Sequence, residues 1–205
     1  MKKYLVVILI LIFSITGCKK NVDMETLKEE YGAYRNLKDG SLFTGKALLK
    51  NDEGKVMLEI NCVYGLLHGK LKEYNEDNGV VVLEENYVEG KLDGESKEYF
   101  ISEEDFNGKK VENGSVASMK KYKNGEMQER ISYYPDGKVY WKMTYKSGGT
   151  EREESIYYSN GVLYSTRYYK NGKLDGTVKS YKSDGNLESE AIFENDILIE
   201  KKVFN

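Results

Sequence analysis

Hydrophobic and polar residues alternate with a period of two over long stretches of the chain. Val139, Trp141, Met143 and Tyr145 fall on one side of such a stretch, and Tyr140, Lys142 and Thr144 on the other. That is the spacing of a β-strand with two unlike faces. A helical reading fails because a glycine interrupts the chain about every dozen residues, and glycine is costly inside a helix. The interruptions are regular. Gly54, Gly79, Gly114, Gly137, Gly161 and Gly185 are followed eight residues later by Cys62, Tyr87, Tyr122, Tyr145, Tyr169 and Phe193. Three residues further on stand Gly65, Gly90, Gly125, Gly148, Gly172 and Asp196. One frame, used six times, organises most of the chain.

Several of these glycines follow Asn or Asp, as at Asn124-Gly125, Asp136-Gly137, Asn160-Gly161, Asn171-Gly172 and Asp184-Gly185. Such pairs tolerate the positive φ angles of two-residue hairpin turns. Tyr133, Tyr157 and Tyr181 recur every 24 residues, each four before a turn glycine. The predicted fold is all-β: tandem β-hairpin repeats forming an elongated, single-layer antiparallel meander sheet over residues 40–205. About a dozen strands at ~4.8 Å each give a sheet on the order of 55 Å long. One aromatic per unit is expected to wedge successive hairpins together, so that stability is mostly a nearest-neighbour sum. In the last unit Asp196 replaces the closing glycine, and the run ILIEKKVF after it predicts a terminal cap strand.

Two segments depart from the rhythm. Gly90 to Gly114 takes 24 residues where sister legs take 12 to 14, which predicts an extended hairpin near 100–113. Its insert ISEEDFNGKKVE carries Phe106 beside Asn107-Gly108. Long loops on rigid scaffolds concentrate recognition, which makes Phe106 and Asn107 candidate binding residues. Ahead of the array, residues 18–39 are largely polar, with Met24, Leu27 and Tyr31 at helical spacing. This segment reads as a tether or a short helix.

Composition narrows the chemistry. The 205 residues include 18 tyrosines, and charged residues reach 32%. With a mean hydropathy of −0.64, such a chain suits half-exposed faces better than a thick dry core. Net charge is −3. Residues 1–17 hold Lys2 and Lys3 and no acid, so without them 29 of the 31 basic residues face 34 acidic ones, a net −5. An acidic product with pI near 5.5 is poorly matched to phosphate backbones, which argues against a nucleic-acid partner.

The N-terminus supplies a different attachment. Met1-Lys2-Lys3 is a short basic region, and Tyr4 to Ile15 is an apolar run interrupted only by Ser14. The run is shorter than the ~20 residues a membrane-crossing helix needs, which marks a signal h-region. Ile15-Thr16-Gly17-Cys18 follows and resembles the lipobox of bacterial lipoproteins. The resemblance implies a signal peptide at 1–17 and diacylglycerol attached to Cys18, hence a cell-membrane or outer-membrane location on the exported side. Two acyl chains, at about 0.8 kcal/mol per buried CH₂, anchor stably where one would not. Cys62 is then the single remaining thiol, and no internal disulfide can form.

Candidate catalytic chemistry is thin. His68, the single histidine, takes the place filled by Asp93 and Asp175 in sister units and reads as a turn residue. Cys62 stands where other units have Tyr or Phe and reads as a small apolar filler. One His and one free Cys make no zinc site and no nucleophile–base pair. The acidic clusters Glu103-Glu104-Asp105 and Glu151, Glu153, Glu154 lack calcium-loop spacing, and no glycine lies in the strand-to-helix context of a phosphate loop. The expectation is a non-enzymatic protein with no cofactor and no metal. Trp141 is the only tryptophan, whereas aromatic cages need several rings. Tyrosine stripes nevertheless keep saccharide binding open.

Three segments carry a further resemblance. They are Gly65-Leu-Leu-His-Gly69-Lys before Tyr74, Gly90-Lys-Leu-Asp-Gly94 before Tyr99, and Gly172-Lys-Leu-Asp-Gly176 before Tyr181 and Asp184-Gly185. They resemble MORN-type repeats, in the variant of the bacterial YwqK-family antitoxin-like proteins, over about residues 40–200. The second glycine is missing at Glu129 and Arg152, so the middle units are degenerate. The resemblance implies consecutive hairpins that scaffold or bind, with no shared catalytic residues. The leading expectation is an envelope lipoprotein presenting a β-repeat surface to a protein partner. The alternatives are a cell-wall or saccharide-binding module and an antitoxin or immunity protein, the last resting on the family label alone.

Overall fold

The computed structural model describes residues 21–101 and 114–204; the leader 1–17, Cys18, Phe106 and Asn107 lie outside these. The chain opens with β1 (Asn21–Asp23), a 3-10 turn (Met24–Thr26), β2 (Leu27–Glu30) and β3 (Ala33–Asn36). There follow β4 (Gly45–Lys50), β5 (Val56–Val63), β6 (Leu66–Leu67), β7 (Gly69–Tyr74), β8 (Val81–Val88), β9 (Lys91–Leu92) and β10 (Gly94–Tyr99). Beyond the long connection come β11 (Val116–Lys123), β12 (Glu126–Tyr133), β13 (Val139–Lys146), β14 (Glu151–Tyr157) and β15 (Leu163–Lys170). The last are β16 (Lys173–Leu174), β17 (Gly176–Tyr181), β18 (Leu187–Glu194) and β19 (Ile197–Val203). From β4 onward the chain runs as an antiparallel meander in one 17-stranded sheet, with β6 and β7 both paired to β5, β9 and β10 both to β8, and β16 and β17 both to β15, and β1 adds to β4 in parallel. The all-β, single-layer meander is the fold of this chain.

The two edges of the sheet turn differently. One edge uses two-residue loops with both residues at positive φ: Tyr64-Gly65, Glu89-Gly90, Asn124-Gly125, Asn171-Gly172 and Asn195-Asp196. These are type I′ turns, whose twist matches that of the strands. At the other edge the first loop residue donates to the carbonyl of the last, as in Tyr134 N to Lys138 O (2.8 Å) and Tyr158 N to Val162 O (2.8 Å). There only the glycine has positive φ, and a β-bulge follows each turn. Asp196 bears φ 71° without being glycine; its carboxylate accepts the Leu174 N–H at 2.7 Å, which offsets the strain. The unit containing Gly148 differs from the predicted frame, because residues 147–150 form a four-residue loop in which Gly148 and Gly149 both take positive φ.

The frame aromatics line up in one row, for a reason visible in the register. Tyr87 lies directly across from Gly69, Tyr122 from Gly94, and Phe193 from Gly176, with Cys62 opposite Gly45. A ring can lie over a cross-strand glycine, covering backbone that has no side chain of its own. Arg152, which replaces that glycine, stands opposite both Tyr145 and Tyr169. Its guanidinium lies 4.1 Å from the Tyr169 ring centroid, so the departure is filled by a cation on a ring face. These rings are half-buried, a shallower wedge than the sequence led us to expect.

The dry core sits at the N-terminal end. Leu27, Phe43, Ala47, Ile60 and Cys62 bury one another, with Met24, Tyr34, Leu58 and Leu71 packed around them. Residues 21–36, expected as tether or short helix, are therefore part of the array and cap it. The helix fails because the Asp23 carboxylate ends the first strand by accepting the Glu25 N–H at 2.9 Å. Tyr31-Gly32, both at positive φ, then bends the chain into a hairpin. Leu27 in that hairpin is buried against the first repeat, which an isolated helix could not achieve. At the other end β19 is terminal as predicted, but all seven of its residues are exposed.

Candidate functional site

The bulges place the side chains that stand out from this sheet. Between β12 and β13 the register runs Ser132 to Trp141 and then Tyr133 to Val139, leaving Tyr140 unpaired. Between β14 and β15 it runs Ile156 to Ser165 and then Tyr157 to Leu163, leaving Tyr164 unpaired. A bulge residue is re-aimed out of the strand's alternation, and these two are tyrosines. Tyr140 is 41% exposed and Tyr164 39%. The same bulge displaces Val139 from the alternation that holds from Trp141 to Tyr145.

Each of these rings rests on a second tyrosine. Tyr134 and Tyr140 meet edge-to-face with centroids 5.2 Å apart, and Tyr158 and Tyr164 do so at 5.1 Å, both at 68°. The supporting rings are themselves pinned. Tyr134 Oη donates to the Tyr157 carbonyl (2.8 Å) and Tyr158 Oη to the Tyr181 carbonyl (2.9 Å), each reaching one repeat onward. Lys138 Nζ to the Ser159 carbonyl (3.1 Å) and Asn160 Nδ2 to the Ser183 carbonyl (2.9 Å) tie the turns in the same sense. The result is two preorganised aromatic pairs one repeat apart, about 9.6 Å for two strand spacings. The other bulge positions at this edge carry Met57, Val82, Ala117 and Glu188, so the track belongs to this chain's middle repeats and not to the hairpin unit in general. The sequence signal is the doublets Tyr133-Tyr134 and Tyr157-Tyr158, each followed six residues later by Tyr140 or Tyr164; only the first member of each doublet belongs to the 24-residue series.

Several other polar groups are committed to structure, though Arg130 Nε and Arg152 Nε are buried without a hydrogen-bond partner among the described residues. Glu59 accepts from Lys46 at 2.6 Å and from Tyr74 Oη at 3.0 Å; Glu84 does so from Lys70 at 2.6 Å and Tyr99 Oη at 3.1 Å. The lysines, outweighing partial burial, hold both carboxyls below their ordinary range. Burial, helped by Glu59, pushes the Tyr74 phenol up to about 12. Cys62 is 2% exposed in the cap core, and burial pushes its thiol up to about 11, so it packs as a protonated filler. His68 N donates to the Asn61 carbonyl, as Asp93 N does to Asn86 and Asp175 N to Tyr168; contrary to the expected turn role, it stands at the break between β6 and β7, beyond the Tyr64-Gly65 turn and alongside β5. Glu153 pairs with Lys146, and Glu154 with Arg167 and Tyr169. Among the described residues no group of His, Cys, Asp or Glu could hold a metal.

Geometry and periodicity thus define a hairpin-repeat protein with an aromatic track along one edge. Residues 129–147, 153–171 and 174–195 match the family model described as a MORN repeat variant, so the chain carries MORN-type repeats over those three segments. No curated protein matches. Among solved structures, a protein of unknown function from Bacteroides fragilis is similar at 12% identity, covering 60% of this chain and 91% of that one, with a TM-score of 0.24.

Proposed function

We propose that the chain is a non-enzymatic, membrane-anchored envelope lipoprotein whose tyrosine-bearing edge binds a protein partner. The observation that carries this reading is the pair of outward tyrosines at the bulges, held by rings whose hydroxyls are already bonded. Rigid aromatics that need no ordering on contact are the side chains most often found at interface hot spots. The Ile15-Thr16-Gly17-Cys18 motif supports the anchor. Affinity capture with the chain as bait, followed by the same capture with Tyr140→Ala/Tyr164→Ala, tests the binding face. The expected result is a partner retained by the first and lost by the second, with both sheets intact by circular dichroism. Equal retention would overturn the site. For the anchor, Cys18→Ala should abolish incorporation of labelled palmitate, and unchanged labelling would overturn it.

The repeat distance between the two exposed rings favours a second reading, a saccharide polymer stacked along the track. Cosedimentation with purified cell-wall glycan that disappears in the same double variant would favour it over a protein partner.

A further inference from the structure

Taking the tyrosine-bearing edge as a protein-binding face, the reading on which this rests, we propose that it receives a proline-rich segment of the partner in the polyproline II conformation. Prolines three residues apart pack on the Tyr134–Tyr140 and Tyr158–Tyr164 pairs, and a basic residue follows one turn further on. The spacing fits. Tyr140 lies on β13 and Tyr164 on β15, with β14 between them, so the two pairs stand ~9.6 Å apart. Polyproline II has three residues per turn and rises ~3.1 Å per residue, which returns a side chain to the same face every ~9.3 Å. An extended β-strand returns one every ~6.7 Å and meets only one pair in phase.

The shape fits as well. Both pairs meet at 68° with centroids 5.1 to 5.2 Å apart, so each makes a step between two rings, and the two steps are alike. Such a step holds a compact pyrrolidine ring against two aromatic surfaces, the contact on which polyproline grooves are built. A sugar stacks its flat face parallel to a single ring and gains less from a step. Two donors stand ready beside these rings. The Tyr134 and Tyr158 hydroxyls are committed to the Tyr157 and Tyr181 carbonyls, whereas those of Tyr140 and Tyr164 have no partner among the described residues. Polyproline II makes no internal hydrogen bonds, so its carbonyls accept from outside donors. Charge then sets one end. One repeat beyond Tyr164 the bulge position carries Glu188, which is exposed. Its carboxylate accepts the Ser180 hydroxyl at 3.5 Å and pairs with no cation among the described residues. One repeat before Tyr140 the position carries neutral Ala117. A lysine or arginine of the segment therefore belongs on the β18 side.

Two fluorescein-labelled peptides test this by anisotropy on the full chain in detergent. Pro-Ala-Ala-Pro-Ala-Ala-Arg has prolines only in phase with its arginine; Ala-Pro-Pro-Ala-Pro-Pro-Arg has twice as many, all out of phase. The reversed orders are run alongside, because Glu188 fixes the basic end and not the chain direction. In the better direction the first peptide should bind saturably below about 1 mM, and the second at least tenfold more weakly. Tyr140→Phe/Tyr164→Phe keeps both rings and should weaken the first about tenfold by removing two donors. Glu188→Lys should weaken it several-fold and favour the same peptide ending in glutamate. Equal affinity for the two peptides would overturn the proposal. So would affinity for the first that is unchanged in both variants, since it would then bind elsewhere. If a captured partner is lost in Tyr140→Ala/Tyr164→Ala while neither peptide binds, the proline assignment falls and the binding edge stands. Cosedimentation with glycan in place of peptide binding would overturn the proposal and give the same edge to a saccharide.

Discussion

Replacing Ile60 by alanine should unfold one end of the molecule and leave the rest standing. Ile60 is 0% exposed and is the largest side chain the described residues bury completely. The change removes three carbons from a core formed with Leu27, Phe43, Ala47 and Cys62. At about 0.8 kcal/mol per carbon the transfer loss is about 2.4 kcal/mol. A cavity adds to it, because Ala47, directly opposite in the ladder, is too short to fill the space. A total of about 3–4 kcal/mol is expected, within the range for such truncations. The frame position of Ile60, six residues after the turn glycine, is filled in later repeats by Glu85, Lys120, Met143, Arg167 and Ala191. Met143→Ala, at a half-buried site, should cost about 1 kcal/mol and serves as the comparison.

The molecule contains its own reporters for this experiment. In a Cys18→Ala background Cys62 is the one thiol, and it lies beside Ile60 in the cap core. Trp141 is the one tryptophan and lies in β13, far along the array. Because repeats are coupled mainly to neighbours, Ile60→Ala should lower the urea midpoint for labelling of the Cys62 thiol well below that for Trp141 fluorescence. Hydrogen exchange should speed up in β4 to β7 and hold steady in β13 to β18. Coincident shifts of both probes would refute the nearest-neighbour reasoning, and a shift worth less than about 1 kcal/mol would refute the core assignment.

Two other perturbations test the turns and the charge ladder. Gly65→Ala should cost more than Gly172→Ala, although both sit near φ +80°, because a Cβ at Gly65 would meet Leu42 Cδ2 at 2.8 Å and the Tyr34 carbonyl at 3.0 Å, whereas Gly172 has open space. About 1–2 kcal/mol is expected at Gly172 from backbone strain alone, and equal urea midpoints for the two variants would contradict the stacking of β3 on that turn. Glu59 and Glu84 have lowered folded pKa values, so the unfolded chain takes up protons first and their stabilisation, present at neutral pH, is lost as pH falls below about 4.5. Tyr74, pushed up to about 12, gives the opposite limb: its contribution is present below pH 10 and is lost as pH rises toward 12. Urea midpoints that stay flat below pH 4.5 and above pH 10 would count against both.

How much of this was legible in the sequence depended on whether a residue's role is set by its own repeat or by its neighbour's. Gly172 bends its own turn and Tyr169 recurs at a fixed offset, so the hairpin unit and its frame could be found by counting. The second glycine also recurs, but only the register shows that Gly69, Gly94 and Gly176 make room for the ring across the ladder. That explains how Arg152 can replace one and still serve, since a guanidinium stacks where a glycine would let the ring lie flat. Burial was legible at Cys62, which reads as an apolar filler and is buried, but not at Ile60. Ile60 and Glu85 hold the same frame position, and what separates them is a hairpin at Leu27, more than thirty residues upstream of Ile60, that reaches the first repeat and not the second. The aromatic track was hidden for a related reason. Tyr140 reads as an ordinary alternating strand residue until the bulge takes it out of register, and a bulge is a property of two strands together. A repeat protein of this kind encodes its scaffold locally and its distinctive surfaces by departures from the local rule. Changing Tyr140 and Tyr164 should therefore alter what the sheet binds without altering the sheet.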